Sequence, residues 1–234
     1  GPVELAFTDR HGGVSAAPYD SLNLAFFEDG ERDVPRRNLA LLLDDFAPGC
    51  EVSDLSQVHG AEVVVAAPRA SGASRPQADG IVTDAEDVVL LVRAADCVPV
   101  LLADHDAGVL GAAHAGRPGV EAGVVTATVA AMRDLGARQV TAWVGPHVCG
   151  ACYEVPRDLQ QQVAAAVPAT LATTSWGTPS LDLGAGVRAQ LEAEDVTVVD
   201  VSACTRESPD LYSYRRDGDR SGRLAGLIRT HARD

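Results

Sequence analysis

The stretch that decides the fold runs from Val88 to Ala115, VVLLVRAADCVPVLLADHDAGVLGAAHA. It contains three short apolar runs, residues 88–93, 98–103 and 109–113, parted by Asp, His, Gly and Pro. All three are apolar on both faces, which suits strands buried between layers better than a sheet with one wet side. Runs at 62–67, 80–83, 140–144 and 196–201 read the same way.

Helical spacing flanks these strands. Pro35 suits the first turn of a helix running to about Phe46, and Val120, Val124, Ala127, Ala131 and Leu135 share one helical face before Gly136. Further helices are expected at 157–167, 183–194 and 223–232, and the Pro/Ser/Gly-rich residues 68–79 read as a loop. The expectation is an α+β chain, a layered α/β sandwich with a mixed central sheet, with residues 1–234 forming a single catalytic domain.

Composition narrows the function. A chain of 234 residues buries roughly 70–75% of its unfolded surface, so it needs no disulfide or structural metal to fold. With 46% hydrophobic and 22% charged residues it is not disordered, and no apolar run approaches the ~20 residues of a membrane span. All 19 basic residues are arginine, which excludes lysine Schiff bases and a Walker lysine. A net charge of −14 gives no electrostatic footprint for nucleic acid, so an anionic ligand must be held by local arginines or backbone amides. Five cysteines, an odd number, point to reduced thiols, and residues 1–10 carry no leader pattern. The expected location is the cytoplasm.

Three residues stand out. His59, in Gln57-Val58-His59-Gly60, precedes an expected strand and is either a surface imidazole or a group at a strand mouth. Cys97, in Ala95-Asp96-Cys97-Val98-Pro99, is either a small buried hydrophobe or a thiol re-aimed by a proline bulge. His114 ends an apolar run and leads through Ala115-Gly116-Arg117-Pro118-Gly119 into a helix, where backbone N–H groups suit an anion, although such turns also serve as plain connections. Two imidazoles and a thiolate suffice for a catalytic zinc with an open fourth position, but their wide spacing permits the site without establishing it.

Other motifs compete. His147-Val148-Cys149-Gly150-Ala151-Cys152 offers Cys-x-x-Cys beside a histidine, yet a zinc ribbon needs a second such pair and the chain has none. The His-x-Glu and Pro-Cys-x-x-Cys signature of zinc nucleobase deaminases is missing. Gly12-Gly13 and Gly184-Ala185-Gly186 are turns or packing glycines rather than phosphate loops. Arg215-Arg216 either clamps an anion or lies in a solvated loop.

Taken in order, TDRHGGVSAAPYDSLNLA, SQVHG, ADGIVT, AADCVPVLLAD, GAAHAG, VGPHVCGACYEV, ACT and SYRRDGDRSGRLAGLI span almost the whole chain. Together they resemble the peptidoglycan-editing-factor family, also labelled polyphenol oxidase or laccase-like and related to purine nucleoside phosphorylases. The resemblance implies a zinc site at His59, Cys97 and His114 and a fold like that of the cytotoxic-necrotizing-factor deamidases. It also implies phosphorolysis of adenosine, inosine, guanosine and methylthioadenosine, with an adenosine deaminase side reaction. Asn23, Arg215 and Arg216 become expected substrate contacts, and Asp96 or Glu154 the expected proton carriers. An alternative is a cysteine or zinc amidohydrolase that removes L-serine from peptidoglycan precursors.

Two positions depart from the family pattern. His-Ala-Gly-Trp-Arg-Gly reads His114-Ala115-Gly116-Arg117-Pro118-Gly119 here, so Arg117 replaces the usual anion-contacting arginine if anything does. The usual Asn-Arg pair reads Asn38-Leu39, leaving Arg36 or Arg37 as substitutes. Copper chemistry is disfavoured, because a multicopper oxidase needs more imidazoles than six histidines supply and Met132 sits inside an expected helix. The expected partners are a nucleoside and phosphate, with neither nucleic acid nor membrane.

Overall fold

A computed structural model of the chain describes residues 2–25, 33–66 and 74–230. The strands are β1 (Val3–Phe7), β2 (Glu51–Asp54), β3 (Val63–Val65), β4 (Gly80–Thr83), β5 (Val88–Ala94), β6 (Val98–Asp104), β7 (Val109–Ala115), β8 (Thr141–Val144), β9 (Leu171–Thr173), β10 (Pro179–Leu181), β11 (Thr197–Asp200) and β12 (Leu224–Thr230). The helices are α1 (Asp33–Phe46), α2 (Arg117–Ala122), α3 (Val124–Asp134), α4 (Arg157–Ala166), α5 (Leu183–Ala193) and the short α6 (Tyr214–Asp217). No helix among the described residues is long and apolar enough to cross a membrane.

The strands form two mixed sheets, ordered β1-β12-β5-β2 and β11-β8-β6-β7-β4-β3, and a separate β9-β10 hairpin. Side-chain alternation along the strands explains why the sheets stack. In β6, Val98, Val100 and Leu102 pack with Val120, Val125, Val163 and Val187 of the helices α2–α5, while Leu101 and Ala103 pack on the opposite face with Leu90, Val92 and Ile228 of the other sheet. In β5 the alternate residues Val89 and Leu91 turn outward to meet Leu42, Leu43 and Phe46 of α1. The architecture is therefore four-layered, α1 over one sheet, the second sheet beneath it, and α2–α5 outermost. The doubly apolar runs of the sequence reflect this arrangement, since both central layers are covered on both faces.

The mixed α+β expectation holds, and particular elements differ. The helix expected over residues 120–135 is broken at Gly123, whose φ of 81° is left-handed and whose N–H caps the carbonyl of Val120. Residues 223–232 are not a helix. Leu224–Thr230 is an interior strand of the four-stranded sheet, antiparallel to both β1 and β5. Its Ala225 and Leu227 face α1 while Ile228 faces the other sheet, so a run apolar on all sides is buried on two faces of a strand, not around a helix. The loop expected at 68–79 falls partly outside the described residues, as do positions 231–232.

Candidate active site

β4 and β6 begin, and β7 and β8 end, at one end of the six-stranded sheet. Cys97 directly precedes β6, and His114 lies near the end of β7, opposite Pro99. His59 comes from the loop between β2 and β3. The Cys97 sulfur is 3.7 Å from His59 Nε2, the two imidazoles meet edge to face at 4.8 Å, and all three ligand atoms lie within 4.8 Å of one another. Three segments remote in sequence thus converge on a group that could hold a metal ion. His114 is buried while His59 is exposed, so the group has a solvent-facing side.

Asp79, just before β4, holds this arrangement together; in the sequence it stands within ADGIVT, with nothing to mark its role. It is fully buried. Its Oδ1 accepts from the His59 amide at 3.0 Å and from His114 Nδ1 at 2.8 Å, and its Oδ2 accepts from the Val58 and Gly60 amides at 3.1 and 2.7 Å. One carboxylate thereby fixes the His59 loop and commits His114 Nδ1 as a donor, so that Nε2 is the nitrogen that can ligate a metal once it has given up its proton. The available signal was an acidic residue between a small residue and Gly80 at a strand start. Gln57 adds a second tether, donating to the Arg93 carbonyl at 2.6 Å and accepting from its amide at 2.8 Å. His59 and Asp96 both have positive φ, 62° and 84°. Non-glycine residues hold such conformations only when their surroundings impose them, and here the Asp79 and Asp96 carboxylate bonds do so.

The electrostatics are those of a coupled pair. Burial would raise the Cys97 thiol, but the His114 and His59 imidazoles outweigh it and bring it down to about 6. Burial would lower His114, but the facing Cys97 and Asp79 push it up to about 9. Burial also opposes ionisation of Asp79, yet the bonds from His114 and the Gly60 and His59 amides hold it below the usual carboxylate range. Two imidazoles and a readily ionised thiol are a donor set suited to zinc, with room for a further ligand on the exposed side. Gly116 makes the close packing possible, because a Cβ there would stand 2.5 Å from His59 Cδ2 and 3.2 Å from the Cys97 sulfur.

The other expected site residues are placed less uniformly. Asp96 is buried, with one carboxylate oxygen accepting from Thr205 Oγ1 and the other from the Arg215 amide. The Arg215 guanidinium lies 4.7 Å over the Tyr153 ring and donates to the Glu154 carbonyl at 2.9 Å. Burial and the Cys97 charge push the Tyr153 phenol upward, opposed by the charges of Arg215 and of Arg117, which pairs with Glu121 at 3.6 Å. The Arg216 guanidinium is instead spent on the carbonyls of Thr205, Ser208 and Leu211 and on Asp217. Glu154 is exposed and accepts from the Trp176 indole at 3.1 Å. Asn23 Oδ1 accepts from the Ala25 and Arg223 amides, at 2.9 Å each, in the loop beside β12. Asn38 is fully buried and ties Val14, Ser15, Ser21 and Asn23 together.

The His147 region does not join this group. His147 Nδ1 bonds the Gly145 carbonyl at 2.8 Å, and burial lowers its basicity. Cys149 and Cys152 cluster elsewhere with Cys204 and Glu207. Burial and the neighbouring thiols push Cys149 up to about 12, opposite to the shift at Cys97.

Known proteins share this whole arrangement of chain. A family model described as "Multi-copper polyphenol oxidoreductase laccase" matches residues 4–231. A Streptomyces griseus protein named "Purine nucleoside phosphorylase ORF3" is 50% identical over 239 residues, covering 97% of this chain and 94% of that protein. A Streptomyces coelicolor protein named "Purine nucleoside phosphorylase SCO2081" is likewise 50% identical, covering 97% and 95%. The crystal structure of Neisseria meningitidis protein NMB0706 superposes with a TM-score of 0.86 at 34% identity, covering 98% of this chain and 95% of that one. Family match, identity and superposition all extend over nearly the full length, and the chain belongs to the multi-copper polyphenol oxidoreductase laccase family, whose relatives here are enzymes named purine nucleoside phosphorylases.

Proposed function

We propose that residues 1–234 act as one catalytic domain, a zinc-dependent purine nucleoside phosphorylase of the cytoplasm. Its substrates in this reading are adenosine, inosine, guanosine and methylthioadenosine, with phosphate as the second reactant and adenosine deamination as a side reaction. The observation that carries it is the convergence of His59, Cys97 and His114 within 4.8 Å, beside the Arg117–Tyr153–Arg215 group, in a chain half identical to proteins of that name. Bound to the three ligands, zinc supplies Lewis acidity at an open coordination position.

The chain's own residues supply orientation and charge. Arg215 is the arginine best placed for phosphate, since Arg216 is committed to backbone carbonyls, and Arg117 adds a second cation. Tyr153 offers a flat face and a phenol beside them. Asp96 holds the Arg215 backbone, and Glu154 is the acid with solvent access that can deliver a proton to the departing base. In phosphorolysis a phosphate oxygen bonds to the ribose anomeric carbon, the carbon–nitrogen bond breaks, and its electron pair leaves with the purine, which takes up the proton. With water in place of phosphate, addition at the amine-bearing purine carbon releases ammonia, the deaminase side reaction.

The test is incubation of zinc-loaded protein with adenosine, with and without phosphate, resolving adenine, inosine, hypoxanthine and ribose-1-phosphate. Phosphate-dependent adenine and ribose-1-phosphate are expected. No conversion in either condition refutes the reading.

A second reading has its own observation. Asp79, His114 and Cys97 form an orienting acid, a base and an activated thiol, the parts of a cysteine amidohydrolase that attacks an amide such as an L-serine peptide bond. It predicts activity that survives chelator and is abolished by thiol alkylation, with an acyl-thioester on Cys97.

A further inference from the structure

Three of the four cysteines that the first site leaves unused are gathered in one place. Cys149 and Cys152 sit on a turn in which the Cys152 and Tyr153 amides both donate to the Cys149 carbonyl, at 3.0 Å each. Cys204 and Glu207 sit on a second turn, closed by the Ser208 amide on the Cys204 carbonyl at 3.0 Å. The two turns are laced together by His147 and Ala203 at 3.1 Å and by Thr205 and His147 at 3.0 Å. Their three sulfurs and the Glu207 carboxylate lie within 4.8 Å of one another, and Cys152 is 3.4 Å from Glu207 Oε1. The sequence displays only the Cys-x-x-Cys half of this group, because Cys204 and Glu207 lie on a distant segment.

We propose that Cys149, Cys152, Cys204 and Glu207 form a second zinc site, structural in character. Three sulfurs and an oxygen match the tetrahedral preference of zinc, whose Zn–S bonds of about 2.3 Å set sulfur separations near 3.8 Å. No sulfur pair has to close by more than about 1 Å to reach that geometry. The carboxylate favours zinc over cuprous ion, which prefers sulfur alone. Three thiolates and a carboxylate leave two surplus negative charges on a divalent ion, and Arg206 lies against Cys152, its guanidinium 4.9 Å over Trp176. The ion would clamp the turn leading into Tyr153 and Glu154 to the turn whose carbonyls Arg216 holds. The site thus stands behind the walls of the first one without sharing a ligand with it.

The experiment counts zinc by elemental analysis in reduced, zinc-equilibrated protein and in its variants, with cobalt as a spectroscopic substitute. The Cys97→Ser variant is expected to retain one zinc per chain, and its cobalt form to show the intense near-ultraviolet sulfur-to-metal absorption of a multi-thiolate site. The Cys149→Ser/Cys204→Ser double variant is expected to lose one zinc relative to the parent. A Cys97→Ser chain that holds no zinc overturns the proposal, as does a double variant that holds as much as the parent. The Cys97→Ser count decides the matter even if the double variant fails to fold, and it is independent of whether the first site takes zinc.

Discussion

Replacing Asp79 by Asn keeps the shape of the side chain and removes its charge, and the surrounding donors fix the outcome in either amide orientation. If the Asn oxygen faces Val58 and Gly60, its NH2 points at the His59 amide and at His114, which must then accept on Nδ1 and carry its proton on Nε2, the nitrogen that faces Cys97. If the oxygen faces His114, the NH2 opposes the Val58 and Gly60 amides and the His59 loop loses its anchor. The first orientation loses the bond from the His59 amide and the second loses those from Val58 and Gly60, at about 1.5–3 kcal/mol each. A loss of about 1.5–6 kcal/mol lowers Tm by roughly 3–24 °C in a chain of this size. Metal affinity should fall by about 10–100-fold, the usual effect of removing a carboxylate behind a histidine ligand. Calorimetric melting and zinc competition against a chromophoric chelator measure the two effects. An Asp79→Asn variant that binds zinc within about threefold of the parent and melts within about 2 °C of it would show that Asp79 does not organise the site.

Individual contacts supply the other expectations. Gly116→Ala places a methyl group 2.5 Å from the His59 ring, so His59 must swing away; zinc affinity should drop at least about tenfold with little change in Tm, and an unchanged affinity contradicts the packing argument. Leu101→Ala opens a cavity between the sheets, costing about 2–5 kcal/mol in denaturant unfolding, and a loss below about 1 kcal/mol would place the main core elsewhere. Burial would raise the Asp104 carboxyl, but the amides of Ala107, Arg138, Gln139 and Asp106 hold it below its usual 3.8. Its contribution is therefore complete above pH 3.8 and fades as pH falls through the lowered value, so the stability of Asp104→Asn should depend less steeply on acid than the parent's. Parallel acid melting curves for the two proteins would remove that assignment. Arg215→Ala should raise the KM for phosphate and leave Tm near the parent's, whereas Arg216→Ala should lower Tm first, having lost several carbonyl contacts; steady-state kinetics and melting separate the two, and a reversal of these effects would exchange their roles.

The central strands were legible because both faces of each are covered, which writes continuous apolar runs into residues 88–115. The outer elements were not. Glu51–Asp54 carries three polar residues on a strand at the sheet edge, and Leu224–Thr230 carries an apolar pattern that a helix shares. At the site, His59, Cys97 and His114 were visible as residues, but their convergence depends on a loop, a strand start and a strand end meeting at one sheet end. Asp79 was invisible because its importance lies in four bonds to groups that no spacing relates. Arg215 and Arg216 are adjacent and chemically identical, so only their surroundings separate a cation with one carbonyl contact from one committed to several.

The pairing of β1 with β12 joins Val3 to Thr230, and β12 is hydrogen-bonded on its other side to β5. A chain leaving the ribosome can build the six-stranded layer from residues 63–200 before that partner has been synthesised. Until it arrives, β1 has no strand to pair with and Leu90 and Leu101 lack the cover of Ile228. Closure of the sandwich is consequently a late, long-range event, and the nascent chain is most in need of chaperone protection just before β12 emerges.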